Sequence, residues 1–498
     1  MLTTTLTILS LAVSGGIYLY FSVRIHAKST SLNDHLPLTS ANHQASVKSA
    51  QEFNAATVAT TISLATVILA YVELAPFLGV WLLWTAVTTA FGIAVVRAVS
   101  HRIWVKLSAF KTHRPTLHEF LGATFGSTSL AKTAALCTSL GFLGALAVEL
   151  TVGAHFLTGL APSIPVWLAV LILAGIGVTY TSMGGFRAVI VTDRIQMGAI
   201  WAAIAALTIA VFWQITEQGG ATVFAQHLPP AVYDFSWRDG LTPFLVGIFL
   251  INVPSFVADM SIWQRVTASR EEKVITQGLT KSALGAAFSW ASLALLACAL
   301  IGLTTPKDGE NMLMLFLTNL TGTGGFGVSV IFTVIVTGLF AASLSTASTQ
   351  LIAAGHTLHT DLLRYRFNRE QLGESRAELS TSRILLFLIA TSAVLVVEAL
   401  RAVGFSIADL VFAVYGAQLG LVPAVFVALY ANQKFHKSLG VWASFGVMLG
   451  FVFGWGCAAT GKLLGNSDLV FLSPLASLAI STLVLGLGFL QIRFVKPR

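Results

Sequence analysis

The chain has 498 residues, 55% hydrophobic and only 10% charged, with a mean hydropathy of +0.81 and a net charge of +8. Soluble chains usually carry about 25% charged residues, so too little polar surface exists here to cover soluble cores of this size. A soluble enzyme, a disordered regulator and a disulfide-stapled secreted domain are therefore excluded. The three cysteines, Cys137, Cys298 and Cys457, stand singly in apolar stretches and read as small core residues.

A membrane-crossing helix needs about 20 mostly apolar residues, and thirteen such runs follow one another along the chain. They cover residues 3–23, 54–78, 80–98, 131–159, 163–181, 193–213, 240–261, 280–303, 327–356, 383–402, 406–430, 438–461 and 470–492. The first is read as a retained helix rather than a cleaved leader, because no positive charge precedes it and Arg24 follows it. That pattern favours an N-terminus outside, and thirteen crossings then put the C-terminus in the cytosol. Of the 29 Lys and Arg, only Arg238, Lys307, Arg401 and Lys462 fall on the outer side. The other 25 are placed inside and are concentrated in segments 97–132, 264–281 and 364–383 and in the tail residues Arg493, Lys496 and Arg498, which is the positive-inside asymmetry. The basic charge is thus topological and calls for no nucleic acid. No stretch outside the spans exceeds roughly 30 residues, too short for an attached domain, and no protein partner is evident. The chain reads as one transmembrane unit over 1–498, with residues 1–53 forming the first helix and a cytosolic loop. No phosphate-cradling G-x-x-x-x-G-K-[ST] motif is present, so an ion gradient is the expected energy source.

Polar groups inside hydrocarbon are costly and mark candidate sites. In the fifth-to-sixth-span connection, residues 184–196 (GGFRAVIVTDRIQ) place Asp193 at the start of the sixth span, as a helix cap or a ligand. In the seventh span Pro254 interrupts the helix after Asn252, as a kink or as the break of a discontinuous helix. The ninth span is the richest: in residues 340–350 (FAASLSTASTQ), Ala342, Ser345, Thr346 and Thr349 share one stripe with Ser348 beside it. A row of neutral oxygens suits a hard monovalent cation such as sodium; cross-helix hydrogen bonding in a tight bundle is the competing reading. In the twelfth span Gly446, Gly450 and Gly454 permit close helix packing.

At these motifs the chain resembles the sodium:solute symporter family. The likeness is carried by residues 114–121 (RPTLHEFL), by 184–196, which is similar to G-G-x-x-A-V-x-x-T-D-x-x-Q, by 259–265 (DMSIWQR), similar to D-x-x-x-x-Q-R, and by 341–361. The resemblance implies an all-α, leucine-transporter architecture of two inverted five-helix repeats, 54–213 and 240–430, followed by two additional helices over 438–492. It further implies a sodium site between second-span carbonyls, here Ala65 and Ile68, and Ala342, Ser345 and Thr346 of the ninth span. A second sodium site would join Asp193 to Ser345, Ser348 and Thr349. Residues 60–72 hold no Gly, Pro, Asn or Asp to mark the unwound turn expected in the second span.

Solute contacts are expected from Asn252 and Ser255 on the seventh span and from the midspan carboxylates Glu73 and Glu149. A buried carboxylate without a partner is costly, so each of the two is protonated, paired with a polar neighbour or facing an aqueous cavity, and a cationic or zwitterionic solute would supply the missing charge. His155 and His356 read as packed helix residues. The reading is a sodium-coupled symporter of the cell (inner) membrane, importing a small organic solute by alternating access, not an enzyme: no H-E-x-x-H or G-x-S-x-G occurs on a span. The alternatives are a proton-coupled carrier leaning on Glu73 or Glu149, and a transporter-like sensor without its own output domain.

Overall fold

A computed structural model describes residues 2–26, 32–37, 45–110, 113–307, 310–363, 376–431 and 433–495. The basic residues expected at 364–375 and the tail residues Lys496 and Arg498 lie outside the described residues. Among the described residues the chain is all-helical, with no strand beyond an isolated bridge between Val47 and Ser269. Its principal helices are α1 (Leu2–His26), α2 (Ala50–Ile62), α3 (Leu64–Leu78), α4 (Leu83–Ser108), α5 (Leu117–Phe125), α6 (Thr128–Leu160), α7 (Val166–Glu217), α8 (Leu241–Asn252), α9 (Met260–Thr267), α10 (Glu272–Leu303), α11 (Met312–Gly322), α12 (Phe326–His356), α13 (Arg376–Val403), α14 (Ile407–Ala417), α15 (Val422–Tyr430), α16 (Gln433–Leu463) and α17 (Ser473–Val495). Eleven helical stretches of the described residues are long and apolar enough to cross a membrane.

Two of those stretches are too long for one crossing. The 52 residues of α7, at about 1.5 Å per residue, would overshoot a hydrocarbon core of roughly 30 Å more than twofold. The helix breaks at Gly185, whose φ of 61° and ψ of −160° suit a residue without a side chain. A Cβ there would also lie 2.4 Å from the carbonyl oxygen of His35. The 59-residue stretch Ala50–Ser108 breaks at Ser63 and again at Gly79. Ser63 has φ 30° and is the one non-glycine residue with positive φ among the described residues. The conformation costs about 1–2 kcal/mol for an L-residue, and a tertiary hydrogen bond from Ser63 to Glu149 accompanies it.

The seventh predicted span is also discontinuous. α8 stops at Asn252, one turn follows over Pro254–Val257, and α9 restarts under the cap of Asp259, whose Oδ1 accepts from the amides of Ser261 (2.7 Å) and Ile262 (3.1 Å). Other helix starts are capped conventionally: Thr116 accepts from the Glu119 amide, Ser127 from Leu130, and Ser406 forms a capping box with Asp409.

α12 runs through the centre, packed along α7 and α6 and touched by α1 and α2. Every residue from 338 to 357 is buried, so its Ser and Thr groups face protein on all sides and must find partners there. At the periphery, α16 and α17 pack as a close pair. A Cβ on Gly450 would come within 2.8 Å of the Ser477 carbonyl oxygen, which accounts for the glycine spacing in the twelfth span. Ser473, Ser477 and Ser481 of α17 donate to the carbonyls of Phe412 within α14, Ala417 at its end and Gly420 in the break before α15.

Candidate ion site and central cavity

The α12 stripe meets two other elements. On one side Ser345 Oγ donates to Asp193 Oδ1 at 2.6 Å; both residues are fully buried. Asp193 lies two turns beyond the Gly185 break on α7, and its Oδ2 has no hydrogen-bond partner among the described residues. Ser348 Oγ turns back to the Ser345 carbonyl (2.9 Å), and Tyr180 Oη donates to the Leu344 carbonyl (2.8 Å). On the other side stands the end of α2. Thr346 Oγ1 lies 3.1 Å from the Ala342 carbonyl and 3.3 Å from that of Thr60, while Thr349 Oγ1 is 3.2 Å from Thr60 Oγ1. Arg265 of α9, itself buried, donates to Thr60 Oγ1 at 2.9 Å.

The fold therefore divides the predicted residues into two groups, Ser345 with Asp193 on one side and Thr346, Thr349 and the Ala342 carbonyl with Thr60 on the other, while the Ser348 hydroxyl bonds the Ser345 carbonyl. Ala65 and Ile68 lie on α3 beyond the break, and the second-span carbonyl that a stripe hydroxyl meets is that of Thr60. Thr60, Ser63, Thr66 and Arg265 escaped the sequence reading. A signal was present for the first three, since hydroxyls recur every third residue at Thr57, Thr60, Ser63 and Thr66. Hydroxyl, carbonyl and carboxylate oxygens, with Asp193 Oδ2 lacking a partner among the described residues, suit a hard cation such as sodium better than a soft or nitrogen-seeking metal.

Below the Ser63 break opens a cavity of about 130 Å³, walled by the broken helices, α6, α10, α12 and α14. Glu149 lines it, and its Oε1 accepts from Ser63 Oγ (2.7 Å) and Thr66 Oγ1 (2.9 Å). Asn252 also lines it, its Nδ2 donating to Thr88 Oγ1 at 3.0 Å, and so does Ser255, whose hydroxyl is taken by the Ile251 carbonyl one turn back. Glu73 is elsewhere. It opens on a separate cavity of about 760 Å³ with His155, Glu310 and Ile407. The two midspan carboxylates grouped by the sequence are thus separated by the fold. His356 is buried and shares a 3.1 Å contact with Gln264 Nε2.

The remaining family-like motifs tie the helix ends together. Thr116 Oγ1 donates to Asp361 Oδ1 (2.9 Å), and His118 bridges Asp361 Oδ2 (2.8 Å) to Thr138 Oγ1 (2.9 Å), with His118 and Asp361 fully buried. Arg114 donates to the carbonyls of Thr267 and Ser269 just past α9. Arg187, next to the Gly185 break, pairs with Glu52 at 2.8 Å and so anchors the start of α2.

A multi-pass helical bundle whose helices break around a buried cavity and an oxygen-lined pocket has the architecture of secondary transporters. The chain belongs to the sodium:solute symporter family, whose model matches residues 49–444. It is 24% identical over 346 residues to the osmoregulated proline transporter OpuE of Bacillus subtilis (strain 168), and the match spans 63% of each chain's length. Its fold is that of a Na+-coupled sialic acid symporter solved in a substrate-bound outward-open state, with a TM-score of 0.72 at 16% identity over 99% of this chain and 98% of that one. The manganese transporter of Eremococcus coleocola is more distant, with a TM-score of 0.54 at 15% identity over 89% and 94% of the two chains. These relatives are transporters, not enzymes.

Proposed function

We propose that the chain is a sodium-coupled symporter that imports a small organic solute across the cell membrane. In this reading the broken stretches Ala50–Ser108 and Val166–Glu217 each cross twice, giving thirteen spans with the N-terminus outside and the C-terminus in the cytosol. The repeats are 54–213 and 240–430, and 438–492 supplies two peripheral helices. The solute occupies the cavity beside Glu149, Asn252 and Ser255, and the relative named as a proline transporter makes an amino acid one reasonable cargo.

The observation that carries the reading is the position of Thr346 Oγ1, 3.1 Å from the Ala342 carbonyl and 3.3 Å from that of Thr60. A sodium ion there would draw oxygens from α12 and from the end of α2, so its binding would hold the broken helix against the central one. We assign the second-span carbonyl to the Thr60 turn in place of Ala65 and Ile68. A second ion would sit between Asp193, Ser345, Ser348 and Thr349, where Asp193 Oδ2 is unpartnered.

Coupling then follows from linkage. Ser63, three residues past Thr60, donates to Glu149 in the cavity wall, and Ser343 of α12 donates to the Glu149 carbonyl at 3.1 Å. Ions that favour the arrangement of α2 against α12 favour the solute site, and the solute favours the ions by the same factor. The test is uptake into proteoliposomes under an inward sodium gradient, compared with potassium and with an inward proton gradient in sodium-free buffer. Uptake that needs sodium supports the reading; equal uptake driven by protons alone would overturn it.

A further inference from the structure

Glu149 has one committed oxygen and one uncommitted. Oε1 takes both hydroxyls, from Ser63 and Thr66, whereas Oε2 has no hydrogen-bond partner among the described residues. The residue is 1% exposed and lines the central cavity. None of the ion pairs among the described residues involves it. The cavity's own cation, Arg265, is turned to Thr60. A carboxylate buried in this way is costly until a partner supplies both a donor and a positive charge.

The chemistry of that partner can be narrowed. An anionic solute would meet Glu149 and Asp259, both lining the cavity, with like charge. A neutral polyol could donate to Oε2 but would leave the charge uncompensated. A protonated amine meets both needs through one short charge-assisted hydrogen bond. The surrounding wall is largely apolar, with Phe142, Ile248 and Phe256 among its residues. Trp290 Nε1 and Gln418 Nε2, two donors without a partner among the described residues, belong to lining residues and leave room for one acceptor on the solute. At about 130 Å³ the space is close to the roughly 150 Å³ that holds a benzene, which limits the occupant to a compact molecule.

We infer that the central site selects a small solute bearing a protonated amine, with the N–H seated on Glu149 Oε2. This rests on the cavity being the solute site of the proposed symporter. The hydrogen bond from Ser63 to the same carboxylate places the amine one residue from the α2–α3 break, so the group that recognises the solute also touches the segment facing the ion pocket.

The experiment is thermal unfolding and equilibrium binding of the purified full-length chain, with sodium or potassium as the only cation. The probes are the proteinogenic amino acids, small primary and secondary amines, carboxylates matched to them but lacking the nitrogen, and monosaccharides. The expected stabilising compounds all carry a protonated amine, and their nitrogen-free analogues do not bind. Glu149→Gln, which keeps the shape and the Ser63 and Thr66 contacts, should weaken amine binding about tenfold or more. Stabilisation by a compound without an amine, amine binding unchanged in the variant, or no response to any amine would overturn the inference. Should Glu149→Gln not fold, the comparison of amines with their nitrogen-free analogues on the unmodified chain decides alone. Loss of the sodium-only response in the unmodified chain would instead overturn the symporter reading.

Discussion

Ser345 and Asp193, 152 residues apart in sequence, are joined by a 2.6 Å hydrogen bond at the buried centre of the molecule. The serine sits on the central helix α12, and the aspartate follows the Gly185 break of α7. The contact ties the polar stripe to a carboxylate whose second oxygen has no partner among the described residues, which is the feature a bound cation would complete. If Asp193 serves a second ion, Asp193→Asn should lower the sodium Hill coefficient of transport from about two toward one and weaken sodium affinity. A coefficient near one in both proteins would remove the second ion.

The first ion site rests on the Thr346 hydroxyl. Thr346→Ala removes it while leaving a residue that the helix tolerates, and it should raise the sodium concentration for half-maximal stabilisation about tenfold. Thr346→Ser restores the oxygen and should restore most of the response. Equal loss in both variants would point to packing instead of coordination, and is read by sodium titration of thermal unfolding.

The break at Ser63 makes a separate prediction about stability. Ser63→Ala keeps the left-handed backbone strain and deletes the hydrogen bond to Glu149, an interaction with a charged group worth about 1.5–3 kcal/mol. Ser63→Gly deletes the same bond but relieves the strain. Alanine should therefore lower the unfolding temperature more than glycine; the reverse order would show that the positive φ at residue 63 carries no strain.

Glu73 and Glu149 should behave differently although both are midspan carboxylates. Glu73→Gln alters the outer cavity it shares with His155 and Glu310 and should change solute affinity less than about twofold. An effect as large as that of Glu149→Gln, measured by equilibrium binding, would place Glu73 on the solute path after all.

His118 and Asp361 lock the start of α5 to the end of α12. His118→Ala removes one hydrogen bond to the buried Asp361 carboxylate and the contact with Thr138 Oγ1. The expected loss is about 1–3 kcal/mol, seen as a lower unfolding temperature in sodium and in potassium alike. A loss confined to sodium would assign the pair to ion binding.

Much of this was legible before any coordinates. Hydropathy located the long apolar helices, because hydrocarbon admits only segments that satisfy their own backbone. Pro254 announced the discontinuity after Asn252, since it lacks an N–H and cannot continue the ladder. The stripe on α12 was visible as spacing, for helical periodicity fixes which hydroxyls share a face. Cross-chain choices were not legible. Nothing local marks Ser63 as a break: its unusual backbone coincides with a hydrogen bond to Glu149, 86 residues away. The sequence resemblance suggests Ala65 and Ile68 for the second-span carbonyls, whereas the contact of Thr346 with the Thr60 carbonyl depends on how α2 crosses α12. Likewise, the sequence determined that Glu73 and Glu149 are rare acids within apolar helices, but only the packing of those helices decided that one opens on an outer cavity and the other on the central one. Composition and periodicity act on each segment by itself, whereas the facing of two polar atoms depends on how separate segments cross.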